Sequence, residues 1–449
     1  MRKILFGFIL FAIVLGSTYP ITAPADVWVD AALGNDTTGN GTQAFPYATI
    51  EKGISQISPH GTVHVMVGTY PVSSQIVIGK SLTIRGEGSG NPVVQAAAHF
   101  GSYMIRADST VAATINISNL AFNGAGYNVY GVLRFYDCHT GIVENCSFRN
   151  ITSGSYYGIG IVTSGTYLIQ NNEFSTIGRI GTWVGYNTPA PGCILRYNTY
   201  TGKGDGDWLD YAVEVGVGGI ARIEGNIITG CTGVASVDGS TSAGILVTTY
   251  YGTGTQAVIM RNTISGCTTG VAVGYDDQDT SDVVVHCNDI FDNDSGVDTT
   301  APQVDARYNW WGSVLGPYHP TSNPSGTGNP VSDNVDFHPW GSLPNPCATR
   351  GSQSEIQPTF GTQMCPLAEY NIQAAETQLE SIQALYQQVL GLDRDVSPAL
   401  ELIQEAEQLL EKARTYCLNS QNCIAGNILA LEAQELLLQA HDLLESLLG

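Results

Sequence analysis

The sequence predicts a mainly β protein: a right-handed parallel β-helix, which is a solenoid, followed by a small C-terminal α-helical bundle. The first observation behind this prediction is a six-residue word, clearest as IQNNEF at 169–174, that returns along the chain. Its other copies begin at residues 143, 195, 223, 259, 285 and 306, and a looser copy begins at residue 117. A word that recurs every 20–50 residues indicates stacked structural units.

The columns of the word are the second observation. Position one is apolar in every copy, and position six is large and apolar, as in Phe148, Phe174 and Tyr200. The surrounding segments are short, alternate with period two and are rich in Val, Ile, Thr and Tyr, which predicts strands rather than helices. We therefore expect each strand to stack on its copy in the next repeat, about 4.8 Å away, with positions one and six inside the solenoid.

Position four of the word is the third observation, because it is asparagine in six copies. These residues are Asn172, Asn198, Asn226, Asn262, Asn288 and Asn309. Asparagine tolerates the left-handed backbone conformation, so we expect this column to mark a tight turn. Stacked amide side chains also hydrogen-bond to their copies above and below. The sequence thus predicts an asparagine ladder along the solenoid.

A solenoid needs both ends covered, because its terminal coils expose unpaired strands and core. At the front, a helix near Tyr47–Ile57 is expected to lie over the first coil. At the back, Trp310, Trp311 and Trp340 occupy an irregular segment rich in Pro and Gly. We expect these tryptophans to plug the last coil, and the alternative is a platform on which sugars stack. The solenoid with both caps is assigned to residues 26–343.

The composition changes after the solenoid. Residues 344–364 form a polar linker, and residues 365–449 are rich in Leu, Ala, Gln and Glu with little Gly. Apolar residues there step by three and four, which predicts a three-helix bundle. We interpret this bundle as a docking or self-association module, and the alternative is a spacer.

The N-terminus has the features of an export signal. Arg2 and Lys3 precede an apolar run over residues 4–15, and a small-residue site at 23–25 fits cleavage before Asp26. The run is too short to span a bilayer, which needs about 20 residues, and the rest of the chain has no apolar segment long enough. The sequence therefore predicts a signal peptide at 1–25 and a secreted, extracellular or cell-surface protein.

Ten cysteines in an exported chain suggest disulfide bonds. Most lie singly within the repeats and are interpreted as small core residues. Cys417 and Cys423 flank the predicted turn between the second and third helices, and they are the preferred disulfide pair. Cys347 and Cys365 are further disulfide candidates.

Two stretches carry a family resemblance. The segment from WVDAALGNDTTGNGTQAFPYATIEKGI to SLTIRGEG resembles the start of right-handed β-helix proteins of the pectin-lyase-like superfamily. NWWGSVLGP through NVDFHPW resembles the closing segment of many exported bacterial and archaeal β-helix proteins. The superfamily includes lyases, hydrolases and epimerases that act on polysaccharides, along with phage tailspikes and surface proteins. The Gly-His-Gly and Arg-Ile-Lys motifs of its polygalacturonase-type hydrolases are absent from this sequence.

Members of the superfamily place their catalytic groups on the outward row of the strands that follow a glycine landmark. The landmarks are Gly131, Gly158, Gly244, Gly270 and Gly296, and the expected outward row holds Gly160, Glu214, Leu246 and Ala272. A single carboxylate among small and apolar residues is a poor active site. This row therefore favours a protein that is not an enzyme.

An acidic cluster leads into Glu214. Asp207, Asp210 and Glu214 are the candidate acid and base for glycoside hydrolysis, which requires two carboxyl groups about 5–9.5 Å apart. Asp205, Asp207 and Asp210 are alternatively candidate oxygen ligands for calcium. A solvated acidic loop is the third interpretation.

Aromatic residues suggest a carbohydrate site. Trp208 follows Asp207, and Tyr250, Tyr251 and Tyr275 are the other candidates for stacking on sugar rings. Tyr275 precedes a second acidic cluster, which is either a calcium site or a solvated loop. The members of that cluster are Asp276, Asp277 and Asp279.

The charge excludes one class of partner. The formal net charge is −22, which repels phosphate backbones, so we expect no nucleic-acid partner. The favoured hypothesis is an exported, non-catalytic β-helix that binds a polysaccharide or cell-surface glycan or has a structural role, with calcium as the possible cofactor. A polysaccharide lyase or glycoside hydrolase is one alternative, and an adhesin or filament subunit is the other.

Overall fold

The computed structural model describes most of the chain. The described residues are 23–107, 112–136, 139–154, 157–189, 192–344, 365–390, 394 and 396–418, with positions 430, 433, 436–437, 440–441, 443–444 and 447. For 365–371, 374, 377, 401 and 416–418 the description covers the backbone alone. The predicted signal peptide at 1–25, apart from its last three residues, and the linker at 344–364, apart from residue 344, lie outside these ranges.

Three long parallel sheets form the β-helix, and we call them sheets 1, 2 and 3. Sheet 1 contains β1 (Asp26–Val29), β2 (Thr62–Val65), β5 (Leu82–Gly86), β8 (Ile115–Ser118), β11 (Thr140–Glu144), β14 (Thr166–Gln170), β17 (Cys193–Arg196), β20 (Ile220–Glu224), β23 (Gln256–Met260), β26 (Asp282–His286), β29 (Val304–Asp305) and β32 (Val335–Asp336). Sheet 2 contains β4 (Ile76–Ile78), β7 (Phe100–Ala107), β10 (Val129–Phe135), β13 (Ile159–Thr163), β16 (Ile180–Val184), β19 (Tyr211–Val215), β22 (Ala243–Val247), β25 (Thr269–Val273) and β28 (Ser295–Thr299). Sheet 3 contains β3 (Thr69–Val72), β6 (Val93–Ala96), β9 (Ala121–Asn123), β12 (Ser147–Ile151), β15 (Glu173–Ile177), β18 (Thr199–Thr201), β21 (Ile227–Thr229), β24 (Thr263–Ser265) and β27 (Asp289–Phe291).

Each coil runs through sheet 2, sheet 1 and sheet 3 in turn, and successive coils stack in register. Position six of the word forms the predicted stack, because Phe148 pairs with Phe174 and Phe174 with Tyr200 in sheet 3. The rings of Phe122 and Phe148 lie 5.0 Å apart between centroids, and those of Phe148 and Phe174 lie 4.8 Å apart, both stacked. These side chains are buried, which confirms the predicted parallel β-helix.

The asparagine column forms a continuous ladder inside the turn between sheets 1 and 3. In each step the backbone N–H and side-chain Nδ2 of one asparagine donate to Oδ1 of the next, at 2.8–3.0 Å. The ladder runs from Asn172 through Asn198, Asn226, Asn262 and Asn288 to Asn309. Each Nδ2 also donates to a carbonyl in the preceding coil, as Asn198 does to Ile169 O at 2.9 Å.

The left-handed residue of this turn is not the ladder asparagine, which corrects the expectation from the sequence. Position three of the word, immediately before the ladder, has positive φ in every copy from residue 119 to residue 308. Asn171 has φ 54°, Tyr197 54°, Arg261 55° and Cys287 61°. The chain therefore bends at position three, and asparagine is needed at position four because a buried amide can donate and accept at once.

Both ends of the β-helix are covered by apolar side chains. Helix α1 (Ile50–Gln56) is shorter than predicted, and the Thr49 side chain caps it by accepting from the Lys52 backbone N–H at 3.2 Å. Ile50 and Ile54 of α1 are buried in the main core. At the other end Trp311 is fully buried in that core, and Trp340 packs against it half-buried. A short pair of strands, β30 (Pro317–Tyr318) and β31 (Gly328–Pro330), completes this end.

The chain divides into two compact units, Met1–Thr349 and Arg350–Gly449. The second unit contains helices α2 (Cys365–Leu390) and α3 (Ser397–Leu418), whose buried seams include Ile382 and Leu410. Arg414 of α3 pairs with Glu376 of α2 at 2.7 Å. Most of the predicted third helix lies outside the described residues, although its described positions are helical and five of them, including Leu437 and Leu444, are buried. Within the described residues no helix is long and apolar enough to cross a membrane.

Cysteines have two roles in the described part of the chain. Cys146, Cys193, Cys231 and Cys267 are buried and free, as small core residues are. Cys287, which the sequence grouped with them, is disulfide-bonded. Cys347 and Cys423, and the side chains of Cys365 and Cys417, lie outside the described residues, so the pairings expected for them stay predictions.

Candidate functional site

The outer face of sheet 2 carries the candidate site. In-register pairing of β13, β16, β19, β22, β25 and β28 brings six side chains into one outward row. The row reads Val162, Trp183, Glu214, Leu246, Ala272 and Asp298. Gly160, which the sequence placed in this row, instead faces inward, where an added Cβ would lie 2.8 Å from the Phe174 ring. This inward position of sheet 2 is glycine because the position-six side chains of sheet 3 occupy the space that another side chain would need.

Irregular loops turn this face into a groove. The copies of the word that begin at 195, 223 and 259 are separated by 28 and 36 residues rather than the usual 26. The extra residues belong to the segments 202–210, 230–242 and 248–255, which connect β18 to β19, β21 to β22 and β22 to β23. Residues 235, 237–241, 248, 250 and 251 line a groove of about 790 Å³ over the outward row.

Glu214 is the central polar side chain of the groove. It is 8% exposed, and its Oε2 has no hydrogen-bond partner among the described residues. Burial raises the pKa of this carboxyl to about 6, and the nearby Arg179 guanidinium opposes that rise. A buried carboxyl with an unpaired oxygen costs stability, and such groups concentrate at functional sites.

Three other charged side chains line the groove with Glu214. Arg179 is the cation, and its Nε is buried without a hydrogen-bond partner in the described part of the chain. Asp298 is exposed at the end of the outward row. Asp238 lies in the 230–242 loop, and its carboxylate accepts from the Ser240 N–H at 3.0 Å, which lowers its pKa. The groove thus combines three carboxylates with one guanidinium.

A wall of tyrosines faces these charges. The rings of Tyr250 and Tyr275 lie 4.2 Å apart between centroids, and those of Tyr250 and Tyr251 lie 4.7 Å apart. All three line the groove, together with Tyr157 and Tyr211. The structure therefore brings together the three tyrosines that the sequence proposed for carbohydrate binding, and it places them beside Glu214.

Asp279 holds two of the loops that carry this wall. Its carboxylate accepts from Thr248 Oγ1 at 2.8 Å, from the Thr249 N–H at 2.7 Å and from Ser281 Oγ at 2.6 Å. These hydrogen bonds lower the pKa of Asp279 against the effect of its burial. Asp279 therefore ties the loop that bears Tyr250 to the loop that bears Tyr275.

The predicted catalytic carboxylates have different surroundings. Asp207 is exposed and accepts from the N–H and Oγ of Ser236 at 2.7 and 2.8 Å, which lowers its pKa. Asp210 is fully buried, accepts from Tyr200 Oη and the Lys203 N–H, and has a pKa raised by burial. Glu214 lines the groove, whereas Asp207 and Asp210 are not among the residues that line it.

Trp208 is likewise outside the groove lining. Its indole N–H donates to Gly204 O at 3.0 Å, and the Lys203 ammonium lies 5.1 Å from its ring centroid. These contacts order the 202–210 segment and hold Trp208 half-buried against it. The residue thus shapes the loop on one side of β19.

The calcium candidates have no shared centre in the described structure. Asp205 is exposed, Asp276 accepts from the Gln278 N–H at 3.0 Å, and Asp277 accepts from Gln278 Nε2 at 3.1 Å. Among the described residues no group of three His, Cys, Asp or Glu side chains is placed to hold a metal ion. Calcium binding at either cluster stays a prediction.

Comparison with known proteins identifies the family. Residues 87–329, which are more than half of the chain, match the family described as "Periplasmic copper-binding protein (NosD)". The chain belongs to the NosD family. No curated protein matches this NosD-family chain.

Solved structures of similar fold have low sequence identity to this NosD-family chain. They include a complex of XylC with xylose, at 13% identity and a TM-score of 0.40, covering 63% of this chain and 65% of that one. The mannuronan C-5 epimerase AlgE4 A-module of Azotobacter vinelandii has 14% identity and a TM-score of 0.42, with 62% and 78% covered. A rhamnogalacturonan lyase has 12% identity and a TM-score of 0.31, with 63% and 74% covered. The chain spans just under two thirds of the xylose-bound protein. The NosD-family match and the stacked parallel sheets confirm the predicted parallel β-helix.

The NosD family description names copper, so the side chains that could bind copper in this chain are relevant. Copper in proteins is held by convergent imidazole, thiolate or thioether ligands. His64 lies between two carboxylates, with Nδ1 2.6 Å from Glu87 and Nε2 3.0 Å from Asp26, and His286 Nε2 faces Asp305 at 2.8 Å. The four free cysteines are buried; Cys231 and Cys267 lie beside each other, but among the described residues no third His, Cys, Asp or Glu completes a metal site. The described residues therefore do not fit a copper ion held by three side chains.

Five of the charged and tyrosine residues that line the groove were not indicated by the sequence: Tyr157, Arg179, Tyr211, Asp238 and Asp298. Trp183 and Asp298, like Glu214, lie one residue before the end of a sheet 2 strand, so both follow from the register of the outward row. The sequence placed Gly160 in the row because the count began at Gly158 in that coil, whereas the inward glycine there is Gly160. Arg179 had no signal of its own, since it lies in the short turn between β15 and β16.

Proposed function

We propose that this NosD-family chain is an exported protein whose β-helix binds a segment of polysaccharide in the groove on sheet 2. One observation carries the proposal: a groove of about 790 Å³ has tyrosines on one side and Glu214, Arg179, Asp238 and Asp298 as its charged groups. Tyrosine faces stack on sugar rings, and carboxylate and guanidinium groups hydrogen-bond to their hydroxyls. The family description, which names periplasmic proteins, supports export.

Unpaired polar atoms support binding in this groove. Glu214 and Arg179 both line the groove, and Glu214 Oε2 and Arg179 Nε are buried without hydrogen-bond partners among the described residues. A sugar hydroxyl can donate to a carboxylate oxygen and accept from a guanidinium N–H, so a bound sugar would satisfy both atoms.

A second candidate function is glycoside cleavage, and the state of Glu214 favours it. A carboxyl with a pKa raised to about 6 stays partly protonated near neutral pH, as a general acid requires. Asp298 and Asp238 are the other carboxylates in the groove, and either could act as the base or nucleophile. Asp207 and Asp210 are less suitable because their oxygens accept hydrogen bonds elsewhere.

One experiment separates the two candidates. The purified protein is incubated with neutral, acidic and amino-containing polysaccharides, and binding is measured together with reducing ends and unsaturated products. Binding without product supports the binding role, whereas product that disappears in Glu214→Gln supports cleavage. Absence of both binding and product from every polysaccharide would contradict the proposal.

A further inference from the structure

The charges of the groove indicate which glycans fit it. Glu214 and Asp298 belong to the outward row, and Asp238 belongs to the loop above it. Arg179 is the one cation among the described residues that line the groove. Three carboxylates facing one guanidinium leave an excess of negative charge, which raises the local concentration of cations.

Glu214 supports this interpretation because its Oε2 lacks a hydrogen-bond partner. Glu214 lines the groove, is more than nine-tenths buried, and makes no hydrogen bond through Oε2 within the described structure. Arg179 is close enough to lower the pKa of this carboxyl, but its own Nε is also without a hydrogen-bond partner in the described part of the chain. A ligand that brings a positive N–H donor supplies what this carboxylate lacks, and hydrogen bonds between charged partners are the stronger ones.

The tyrosine wall favours the same ligand. Tyr157, Tyr211, Tyr250, Tyr251 and Tyr275 line the groove. A cation within about 6 Å of an aromatic ring centroid is attracted to the ring face. Tyrosine rings together with carboxylates therefore favour an ammonium group, whereas the same surroundings repel a uronate or sulfate.

We infer that the glycan bound in this groove carries free amino groups, as polymers of glucosamine do. The inference rests on the proposed function and names the ligand class for the same site. The amine lies against Glu214 and the tyrosine wall, and the sugar rings extend along the outward row. The neutral N-acetylated polymer of the same skeleton lacks the charge, and an acidic polymer of galacturonate has the opposite charge.

The test measures binding of three oligosaccharides of equal length by calorimetry with the full chain at pH 6.5 and low salt. The probes are oligomers of glucosamine, of N-acetylglucosamine and of galacturonate. We expect the glucosamine oligomer to bind at least about tenfold more tightly than the N-acetylated one, and the galacturonate oligomer to bind most weakly. Added sodium chloride weakens the first more than the second, because it screens charges.

Two groove variants and one control assign the preference to the groove. Glu214→Gln and Asp298→Asn each remove one carboxylate, and each is expected to reduce the preference for glucosamine about threefold or more. Glu173→Gln is the matched control, because it makes the same change on an exposed residue of sheet 3 and should leave the preference unchanged. Circular dichroism verifies folding, and Asp298→Asn, at an exposed position, serves if Glu214→Gln does not fold.

The outcomes distinguish this inference from the proposed function. Equal or tighter binding of the neutral or acidic oligomer would overturn the inference and leave glycan binding intact. A preference that survives in both groove variants would place the amine elsewhere and overturn it as well. If no oligosaccharide binds, the proposed function and the inference both fail.

Discussion

The inner face of sheet 3 and the outer face of sheet 2 belong to the same coils, but residue types repeat from coil to coil only on the first. On sheet 3, Phe122, Phe148 and Phe174 repeat at 26-residue steps and stack ring on ring. On the outer face of sheet 2, the corresponding row changes from Val162 to Trp183, Glu214 and Leu246 within four coils. Columns of similar residues stabilise the solenoid, and the candidate site lies on the face where the residue type changes from coil to coil.

The length of the coils shows the same contrast. Coils of 26 residues have short connections, whereas the coils on either side of β19 and β22 contain the 202–210, 230–242 and 248–255 segments. Longer surface loops cost little free energy, so a stacked core tolerates them. The groove is thus added to the solenoid without disturbing its register, and substitutions in the two regions should have separate effects.

The largest effect is expected from Phe148→Ala. Phe148 is fully buried between two stacked rings, so the substitution leaves a cavity and lowers the free energy of unfolding by about 3–5 kcal/mol. Urea unfolding followed by circular dichroism measures the change. Phe45→Ala, at a side chain that is 63% exposed, is the control. A loss below about 1 kcal/mol for Phe148→Ala would show that the stack adds little stability.

Asn226→Ala tests the ladder. The substitution removes the acceptor for the N–H and Nδ2 of Asn198 and leaves Leu195 O without the Nδ2 donor of Asn226. We expect the free energy of unfolding to fall by about 2–3 kcal/mol, because buried polar groups lose their partners. Asn91→Ala is the control, because Asn91 is exposed and lies outside the ladder. It should lower the free energy of unfolding by less than about 1 kcal/mol, since substitutions at exposed positions have small effects. Equal effects in the two variants would show that the hydrogen bonds of the ladder add little stability.

Glu214 gives the groove on sheet 2 a pH dependence of its own. Its pKa is about 6 in the folded protein against 4.5 in the reference state, so the folded protein binds the proton more tightly. Stability therefore falls as pH rises from 4.5 to 6, and the contribution amounts to about 2 kcal/mol. The difference in unfolding free energy between Glu214→Gln and the unmodified chain, measured from pH 4 to 7.5, isolates this contribution. A difference that stays constant across that range would contradict the burial of this carboxyl.

Tyr250→Ala is expected to have the smallest effect on free energy and to act on binding alone. Tyr250 is half exposed at 49% and packs against Tyr251 and Tyr275 rather than against the core. The dissociation constant for the best oligosaccharide should rise about fivefold to tenfold, with stability unchanged within about 0.5 kcal/mol. Calorimetry measures this change, and Tyr318→Ala, at an exposed tyrosine outside the groove, is the comparison. Unchanged affinity in Tyr250→Ala would remove the tyrosine wall from the binding site.

The sequence by itself determined the parallel β-helix, its register on sheet 3 and the asparagine column. A residue that contacts its own copy has the same surroundings in every repeat, so the same residue type recurs. Repetition of that kind is visible in one chain. It also indicated Glu214 and the three tyrosines, whose residue types suit a sugar site, without showing that they meet. Only the tertiary structure decided that Asp207 and Asp210 bond to loop residues outside the groove lining. It also decided that the turn bends one residue before the ladder, and that Arg179 and Asp298 line the same groove as Glu214. The groove is made of loops and of a row that does not repeat. Its members lie up to 143 residues apart in the sequence, from Tyr157 to Thr300, and the stacking of coils brings them together.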